Sequence, residues 1–131
     1  MIQRIQSIYL LFTMISMSLI AFKVPVYSSN EKLFMAIDDT KIFVLIIIVM
    51  LFSLIGFFLF KKLKLQMKLI RLAVLVKMVI VVRLFMVYYE FGVSLNSNCI
   101  FLILFAFISL IMAYIRVKKD YDLIRSVDRI R

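Results

Sequence analysis

Residues 42–60 decide the fold, and they read IFVLIIIVMLFSLIGFFLF. This stretch is 19 residues long and contains no charged residue. A helix needs about 20 mostly apolar residues to cross the hydrocarbon core of a bilayer, whereas an open strand in lipid leaves its backbone hydrogen bonds unmade. The length therefore predicts a membrane-spanning helix, although β-branched runs such as residues 46–49 would indicate buried strands in a soluble protein.

The composition of the whole chain agrees with a membrane protein. Its 131 residues are 66% hydrophobic, whereas soluble domains are roughly 45–50% apolar. A single core of this size cannot bury that much apolar surface, so the composition excludes a soluble globular domain and a disordered chain. The net charge of +10 would favour nucleic acid only if a soluble face carried it, and we expect no nucleic-acid binding.

Four stretches are long and apolar enough to be spans, namely residues 5–24, 42–60, 72–89 and 99–117. The first stretch is too long for the apolar part of a signal peptide, and residues 21–23 make a poor cleavage site, so we expect it to remain as an anchor. Pro25, which cannot continue a helix, ends it. Residues 25–40 form a polar loop, and residues 91–98 form a tight turn with Gly92 and residues 96–98 as breakers.

The third span is marginal because it contains Lys77 and Arg83. Its eleven Leu, Ile, Val and Phe residues favour insertion by roughly 3–7 kcal/mol, and two central basic residues oppose it by roughly 5–7 kcal/mol. Leaving this span out of the membrane would move residues 118–131, with their basic side chains, to the outside. The charge asymmetry of the chain therefore favours insertion, helped by packing against the neighbouring spans.

The distribution of basic residues predicts the orientation. Twelve of the 17 Lys and Arg residues lie in residues 1–4, 61–71 and 116–131, and three lie in residues 23–41. Basic residues accumulate in cytoplasmic loops. We therefore predict an all-α fold, in which residues 1–131 form one four-helix transmembrane bundle with up-down-up-down topology and both termini in the cytoplasm.

The residue types that carry most catalysis and metal binding are scarce. The chain has no His and one Cys, and none of the four predicted spans contains Asp or Glu. Haem, iron–sulfur clusters and zinc lack their usual ligands, and proton-coupled transport lacks its usual intramembrane carboxylate. We therefore expect no enzymatic activity and no cofactor.

Lys77 and Arg83 are the strongest candidate functional residues, because a basic residue within a span indicates function by default. Each side chain could instead extend to the interface and contact lipid phosphate. A partner protein could supply the missing Asp or Glu, or the two residues could line a substrate pathway. Six residues turn a helix by about 240°, so the two basic groups point in different directions and cannot form one anion site unaided.

A basic segment, residues 61–68, follows the second span and contains Lys61, Lys62, Lys64 and Lys68. Each basic residue beside an anionic leaflet contributes about 1 kcal/mol of attraction. This segment is sufficiently explained as a topology determinant that binds anionic phospholipids.

Residues 118–131 predict a short amphipathic helix, either separate from the fourth span or continuous with it. Asp122 with Arg125, and Asp128 with Arg131, are pairs of opposite charge at i,i+3 spacing. The apolar side of this helix would lie on the bilayer surface, on the basic segment or on a cytoplasmic partner. We call its apolar residues the tail stripe, and they are Leu123, Ile124, Val127 and Ile130.

Four segments carry a resemblance to a known family: MIQRIQ at residues 1–6, KLQMKL at 64–69, KKD at 118–120 and RSVDRIR at 125–131. With these segments the chain resembles the domain-of-unknown-function family numbered 4293, which comprises small four-span inner-membrane proteins of Bacteroidota. The resemblance covers the chain from end to end. It implies a bacterial inner-membrane location and the same four-helix architecture, and it implies no activity.

Three functions remain open on this evidence. The first is a non-enzymatic accessory or scaffold subunit of a larger membrane complex, which fits the missing cofactor ligands and the unpaired Lys77 and Arg83. The second is a small transporter or channel. Such proteins often insert in both orientations, whereas the charge bias here fixes one, and the multidrug type needs a first-helix carboxylate that is missing. The third is a lipid-binding, membrane-organising protein, which rests on the basic segment.

Overall fold

The computed structural model describes the backbone of residues 2–130 and the side chains of residues 5–130. Within this range the chain forms four helices, which confirms the all-α prediction. They are α1 (Ile2–Phe22), α2 (Thr40–Phe58), α3 (Leu63–Phe91) and α4 (Ser97–Ile130). Three of them, α1, α2 and α4, are long and apolar enough to cross a membrane. The helix with Lys77 and Arg83, α3, is not among the three.

The helix boundaries differ from the predicted spans mainly at the junction of α2 and α3. Helix α3 begins at Leu63 and not at residue 72, so Lys64 and Lys68 lie on the helix itself. The connection between the two helices is therefore only residues 59–62, which we call the link. A span predicted from hydropathy stops at the first polar residues. Helix α3 extends further, because the apolar residues on one side of its first turns are buried against other helices.

Helix α4 contains both the fourth predicted span and the predicted tail helix, and it runs without interruption over 34 residues. At about 1.5 Å per residue its length is about 50 Å, compared with about 30 Å for a hydrocarbon core. Asp122 and Arg125 form no ion pair among the described residues. The predicted partner of Asp128, Arg131, lies outside the described residues.

A small three-stranded antiparallel sheet occupies the two connections that were expected to be a loop and a turn. Its strands are β1 (Tyr27–Ser29), β2 (Lys32–Phe34) and β3 (Ser94–Leu95), in the order β2-β1-β3. Asn30 and Glu31 have φ angles of 46° and 67°, as the two-residue turn of a tight hairpin requires. Because β1 pairs with β3, the α1–α2 and α3–α4 connections lie at the same end of the molecule, which we call the sheet end.

Short-range sequence signals mark where the helices next to this sheet begin and end. Asp39 caps α2, because its side chain accepts a hydrogen bond from the Lys41 amide. Gly92 ends α3 in the left-handed conformation with φ of 57°, as predicted for a breaker. Asn96 also acts as expected, since its side chain accepts a hydrogen bond from the Asn98 amide. Residues 97 and 98, however, belong to α4 and do not break it.

Each helix packs against two neighbours, so the four helices form a closed ring: α1 contacts α2 and α4, and α3 contacts α2 and α4. The buried apolar side chains form two clusters. The sheet-side cluster includes Met17, Ile46, Val49, Ile80, Ile103 and Ala106. The link-side cluster includes Leu10, Met67, Ile70, Ala73, Leu110 and Ala113.

The two glycines provide a matched test of this fold. We expect Gly92→Ala to destabilise the protein by about 1–2 kcal/mol, because a Cβ is strained at a positive φ. We expect Gly56→Ala to be neutral or stabilising by up to about 1 kcal/mol, because alanine favours helix. The closest side-chain atom to a Cβ at Gly56 is Leu10 Cδ1 at 3.5 Å, an ordinary contact. Thermal unfolding in mild detergent measures both changes, and equal effects of the two substitutions would contradict this assignment.

Candidate functional site

Lys77 lies in the interior of the helix ring. It continues the buried side of α3, four residues after Ala73 and three before Ile80. The residue is 1% exposed, and its Nζ has no hydrogen-bond partner among the described residues. Burying an unpaired charge is costly, with an effective penalty of several kcal/mol. The helical spacing that buries the apolar residues of α3 therefore also buries its lysine.

Each helix has a buried polar residue where the two apolar clusters meet. We call these residues the polar layer: Thr13 and Ser16 on α1, Ser53 on α2, Lys77 on α3 and Ser109 on α4. On α1, for example, Thr13 lies between Leu10 of the link-side cluster and Met17 of the sheet-side cluster. The four hydroxyl side chains give the interior a polar centre between two apolar ends.

The hydroxyls of the polar layer differ in their hydrogen bonds. Thr13, Ser16 and Ser109 each donate to the carbonyl oxygen four residues earlier on the same helix, at 3.1, 2.7 and 2.9 Å. Such bonds occupy the hydroxyl proton and leave the oxygen lone pairs as acceptors. Ser53 Oγ is buried and has no partner among the described residues. Ser53 is therefore the hydroxyl of this layer whose proton remains available.

The position of Lys77 bears on the three roles that the sequence left open for it, namely a contact with lipid phosphate, a contact with a partner's carboxylate and a place on a substrate pathway. At 1% exposure the side chain does not extend to the interface, so a contact with lipid phosphate does not apply to this residue. A partner's carboxylate would reach it only if the helices separated. Of the interpretations left open, a position on a substrate pathway agrees with this enclosure, and it stays a prediction.

Arg83 finds a carboxylate within its own chain. Its Nη2 lies 3.7 Å from Oδ2 of Asp39, the capping residue of α2. Glu90, which follows Arg83 by two helical turns, is not its partner among the described residues. The pair is partly exposed, with side-chain exposures of 25% and 13%. Arg83 therefore joins α3 to the start of α2 at the sheet end.

Tyr27 lies near the Arg83–Asp39 pair at the sheet end. Its ring stacks on Phe34 with the centroids 5.1 Å apart. Burial raises the pKa of the Tyr27 hydroxyl, and the negative charges of Asp39 and Asp38 raise it further. The hydroxyl therefore stays protonated beside these two carboxylates at neutral pH.

The four lysines of the basic segment are exposed and lie at the opposite end, which we call the link end. Lys61 and Lys62 belong to the link, whereas Lys64 and Lys68 lie on the first turns of α3. Lys64 Nζ is 5.8 Å from the centroid of the Tyr121 ring of α4, within range of a cation–π contact. An open groove of about 400 Å³ separates the basic segment from α4, and it is lined by Lys61, Lys62, Leu63, Lys64, Leu65, Tyr121 and Ile124.

The tail stripe is not covered by any described part of the chain. Leu123, Ile124 and Val127 are 49%, 52% and 56% exposed, and Ile130 is 87% exposed. Ile124 lines the groove, and Leu123, Val127 and Ile130 lie outside it. The predicted tail helix is present as a continuation of α4, which is one of the two expected forms.

Three buried polar residues were missed in the sequence. Gln6 and Gln66 are 0% exposed, and Asp120 is 8% exposed. Gln66 Nε2 donates to the carbonyl oxygen of Gly56 on α2 at 3.0 Å, while its Oε1 has no partner among the described residues. A signal was present, because each of the segments MIQRIQ, KLQMKL and KKD contains one of these residues.

The fold is that of a small helical protein in which three helices could cross a membrane. Its apolar interior contains a few buried polar side chains. Among the described residues, no group of His, Cys, Asp and Glu could hold a metal ion. The chain belongs to the family described as Domain of unknown function (DUF4293), whose family model matches residues 2–130. No curated protein and no solved structure matches the chain.

Asp39 both caps α2 and pairs with Arg83, and two substitutions separate these roles. Asp39→Asn keeps a capping oxygen and removes the charge, so we expect a loss of less than about 1 kcal/mol, as for a partly exposed ion pair. Asp39→Ala also removes the cap and should cost about 1 kcal/mol more. Thermal unfolding in detergent measures both losses.

The control for this prediction is a double-mutant cycle with Arg83→Gln. If the two side chains interact, Asp39→Asn should cost less in the Arg83→Gln background than in the wild type. Strictly additive losses would show that the pair contributes nothing to stability.

Proposed function

We propose that the protein is a non-enzymatic accessory subunit of a larger complex in the bacterial inner membrane. In this proposal the chain crosses the membrane four times in an up-down-up-down bundle, with both termini in the cytoplasm. The link end, which carries the basic segment and the last part of α4, would be cytoplasmic, and the sheet end would face the other side.

The burial of Lys77 supports α3 as the fourth span. A charged side chain is costly against lipid, but Lys77 faces the other helices and is 1% exposed. Arg83 lies nearer the sheet end and is paired with Asp39. The two charges that make α3 marginal on its own are thus both covered by neighbouring elements. The excess of basic residues at the link end supports the orientation.

The observation that carries the proposal is the projection of α4. If the span ends near Val117, then Val127 and Ile130 lie about 15–20 Å beyond it at about 1.5 Å per residue. The headgroup region adds only about 5–8 Å to each side of the hydrocarbon core. These two residues, 56% and 87% exposed, would therefore stand in water. Apolar side chains exposed together in this way mark a protein contact more often than a free surface.

The groove beside the tail stripe indicates the chemistry of the partner. Its rim carries the ammonium groups of Lys61, Lys62 and Lys64, and its wall includes Leu65 and Ile124. A partner helix with an apolar side and flanking Asp or Glu residues would complement both features. We propose such an acidic amphipathic helix of another membrane protein as the occupant.

Lipid contacts would accompany this protein contact. Lys61, Lys62, Lys64 and Lys68 are exposed at the link end, at the level where anionic headgroups of the cytoplasmic leaflet lie. We propose that they bind these phospholipids, each with about 1 kcal/mol of attraction. An intramembrane carboxylate of the partner could only add to the Arg83–Asp39 pair, in which the arginine side chain is 25% exposed, because Lys77 is enclosed.

The partner contact is tested by replacing Leu123, Ile124 and Val127 together with Gln. We expect a protein that co-purifies stoichiometrically with the wild type in mild detergent to be lost from this variant, because the apolar contact is removed. Quantitative mass spectrometry of the purified complexes measures the loss. Asp122→Asn combined with Arg125→Gln is the control, since it keeps the net charge and changes the opposite side of the helix.

The outcomes separate the proposal from its alternatives. Loss of the partner from the triple variant and its retention in the control support the accessory role. A wild-type protein that purifies without a stoichiometric partner and conducts ions in liposomes contradicts it. Loss of bound phospholipid alone would assign the stripe to the membrane surface.

The orientation is tested with single cysteines, since the native Cys99 is buried. Leu33→Cys lies on β2 at a position that is 65% exposed, and Ser126→Cys lies on the exposed end of α4. A membrane-impermeant maleimide should label Leu33→Cys in intact spheroplasts and Ser126→Cys only after lysis. The reverse pattern would overturn the proposed orientation, and labelling of both in intact spheroplasts would show mixed insertion.

A further inference from the structure

Two contacts between α3 and α4 fix how these helices face each other near the link end. Lys64 Nζ lies 5.8 Å from the centroid of the Tyr121 ring, and Arg71 Cζ lies 6.0 Å from the centroid of the Tyr114 ring. On each helix the two contacting residues are two turns apart, so both contacts lie along one side of α3 and one side of α4. We call the outer surface that these contacts bracket the α3–α4 seam.

Two exposed lysines lie on this seam between the contacts. Lys68 follows Lys64 by four residues and precedes Arg71 by three. Lys118 holds the matching place on α4, where it lies between the two tyrosines. Residues three or four apart lie on the same side of a helix, so each lysine is on the contacting side of its own helix. Because the two contacts show that α3 and α4 run in opposite directions, Lys68 and Lys118 reach nearly the same level.

Positive charge is concentrated on the seam. The two lysines flank it on packed helices, whose axes are typically about 8–10 Å apart. The guanidinium group of Arg71 extends across it to the Tyr114 ring of the other helix. Asp122, one turn after Lys118, is a carboxylate on the same side of α4, but no ion pair joins it to a base among the described residues. Three basic groups therefore lie together without a paired counter-charge in the described part of the chain.

The surface around the seam has room for a ligand. On its α4 side the seam opens into a groove of about 600 Å³, and Tyr114, Ile115, Lys118 and Asp122 are part of its wall. This wall combines an ammonium group with an aromatic ring and an aliphatic side chain. Such a combination suits a molecule that has both an anionic and an apolar part.

The depth of the seam indicates that this molecule is a lipid. Arg71 and Lys118 lie immediately outside the predicted third and fourth spans, at the level of the headgroups in the proposed arrangement. Toward the sheet end, the same sides of the two helices become apolar. Leu75 follows Arg71 by four residues and is 61% exposed, and Ile111 precedes Tyr114 by three residues and is 40% exposed. The seam thus presents positive charge at headgroup level and an apolar surface directly below it.

We infer that the α3–α4 seam binds one anionic phospholipid that carries two phosphate groups. Lys68 and Lys118, side by side at one depth, each contact one phosphate, and the planar fork of Arg71 donates hydrogen bonds between them. Basic pockets between membrane helices on the cytoplasmic side are suited to such headgroups. A lipid with one phosphate leaves two of the three positive charges uncompensated. The inference rests on the proposed four-span arrangement, but it is independent of the partner contact at the tail stripe.

The experiment measures lipid binding to the protein after purification in mild detergent and removal of its native lipids. Diphosphatidylglycerol is titrated in comparison with phosphatidylglycerol and with inorganic pyrophosphate, and native mass spectrometry counts the molecules bound to each chain. We expect one diphosphatidylglycerol to bind about fivefold more tightly than phosphatidylglycerol, because it brings a second negative charge to the basic groups. Pyrophosphate at the same concentration should not displace it, since pyrophosphate has no acyl chains.

Matched double variants separate the seam from the general attraction of a basic surface. Lys68→Gln combined with Lys118→Gln should weaken the binding of diphosphatidylglycerol about 30-fold. Lys61→Gln combined with Lys62→Gln removes the same charge from the exposed link and should weaken binding less than about twofold at physiological salt, where charges about 10 Å away are screened. Arg71→Lys keeps the charge but loses the forked contact, and it should weaken binding about fivefold.

Several outcomes would overturn the inference. Equal weakening by the two double variants, or equal affinity of the wild type for the two lipids, would show that binding follows net charge alone. Displacement by pyrophosphate would show a phosphate site and not a lipid site. The substituted residues are exposed, and unchanged unfolding midpoints without lipid would confirm that the variants fold.

The tail stripe provides the control that separates this inference from the accessory role. The variant with Gln at positions 123, 124 and 127 leaves the seam intact and should bind diphosphatidylglycerol like the wild type. A wild type that keeps its protein partner but does not prefer diphosphatidylglycerol contradicts the seam site alone. A wild type that binds this lipid but purifies without a protein partner contradicts the accessory role alone.

Discussion

A lysine enclosed by apolar helices is the constraint on which the rest of the structure depends. Lys77 is 1% exposed, and a buried charge without polar surroundings costs several kcal/mol. Each helix of the ring has a buried polar side chain between its apolar ones, and on α3 that side chain is the lysine. α3 has a basic residue where the others have hydroxyls, so it depends on its neighbours to cover the charge. In the proposed four-span arrangement, this enclosure keeps the lysine of α3 away from lipid.

The helices could be predicted because apolar runs of about 20 residues have few alternatives in a membrane. The sheet could not, since strands of two and three residues are too short to show an alternating pattern. Its central pairing also joins Ser28 to Ser94, 66 positions apart. The start of α3 was placed late because Lys64 and Lys68 interrupt the hydropathy, although Met67 and Ile70 between and after them are buried.

The residues of the candidate site could be predicted from the sequence, but the groups around them could not. A charge within an apolar run is visible in the sequence, so Lys77 and Arg83 could be singled out. Which way each side chain points depends on other helices: Arg83 meets Asp39 at the start of α2, while Lys77 is enclosed by the ring. Gln66 was missed because a polar residue near the end of a span is normally read as interfacial. Its hydrogen bond to Gly56 shows that it faces inward.

The presence of Lys77 is not explained by stability. An apolar side chain of similar volume at a buried ionic position is often neutral or stabilising, and it would also ease the insertion of α3. Enclosure argues against the two roles that depend on the surface, contact with lipid phosphate and contact with a partner. A role inside the ring stays a prediction. The tail stripe and the exposed lysines, which would carry the proposed contacts, lie apart from Lys77 at the link end. The enclosed lysine and the exposed residues of the link end are therefore separate, and substitutions can address each without altering the other.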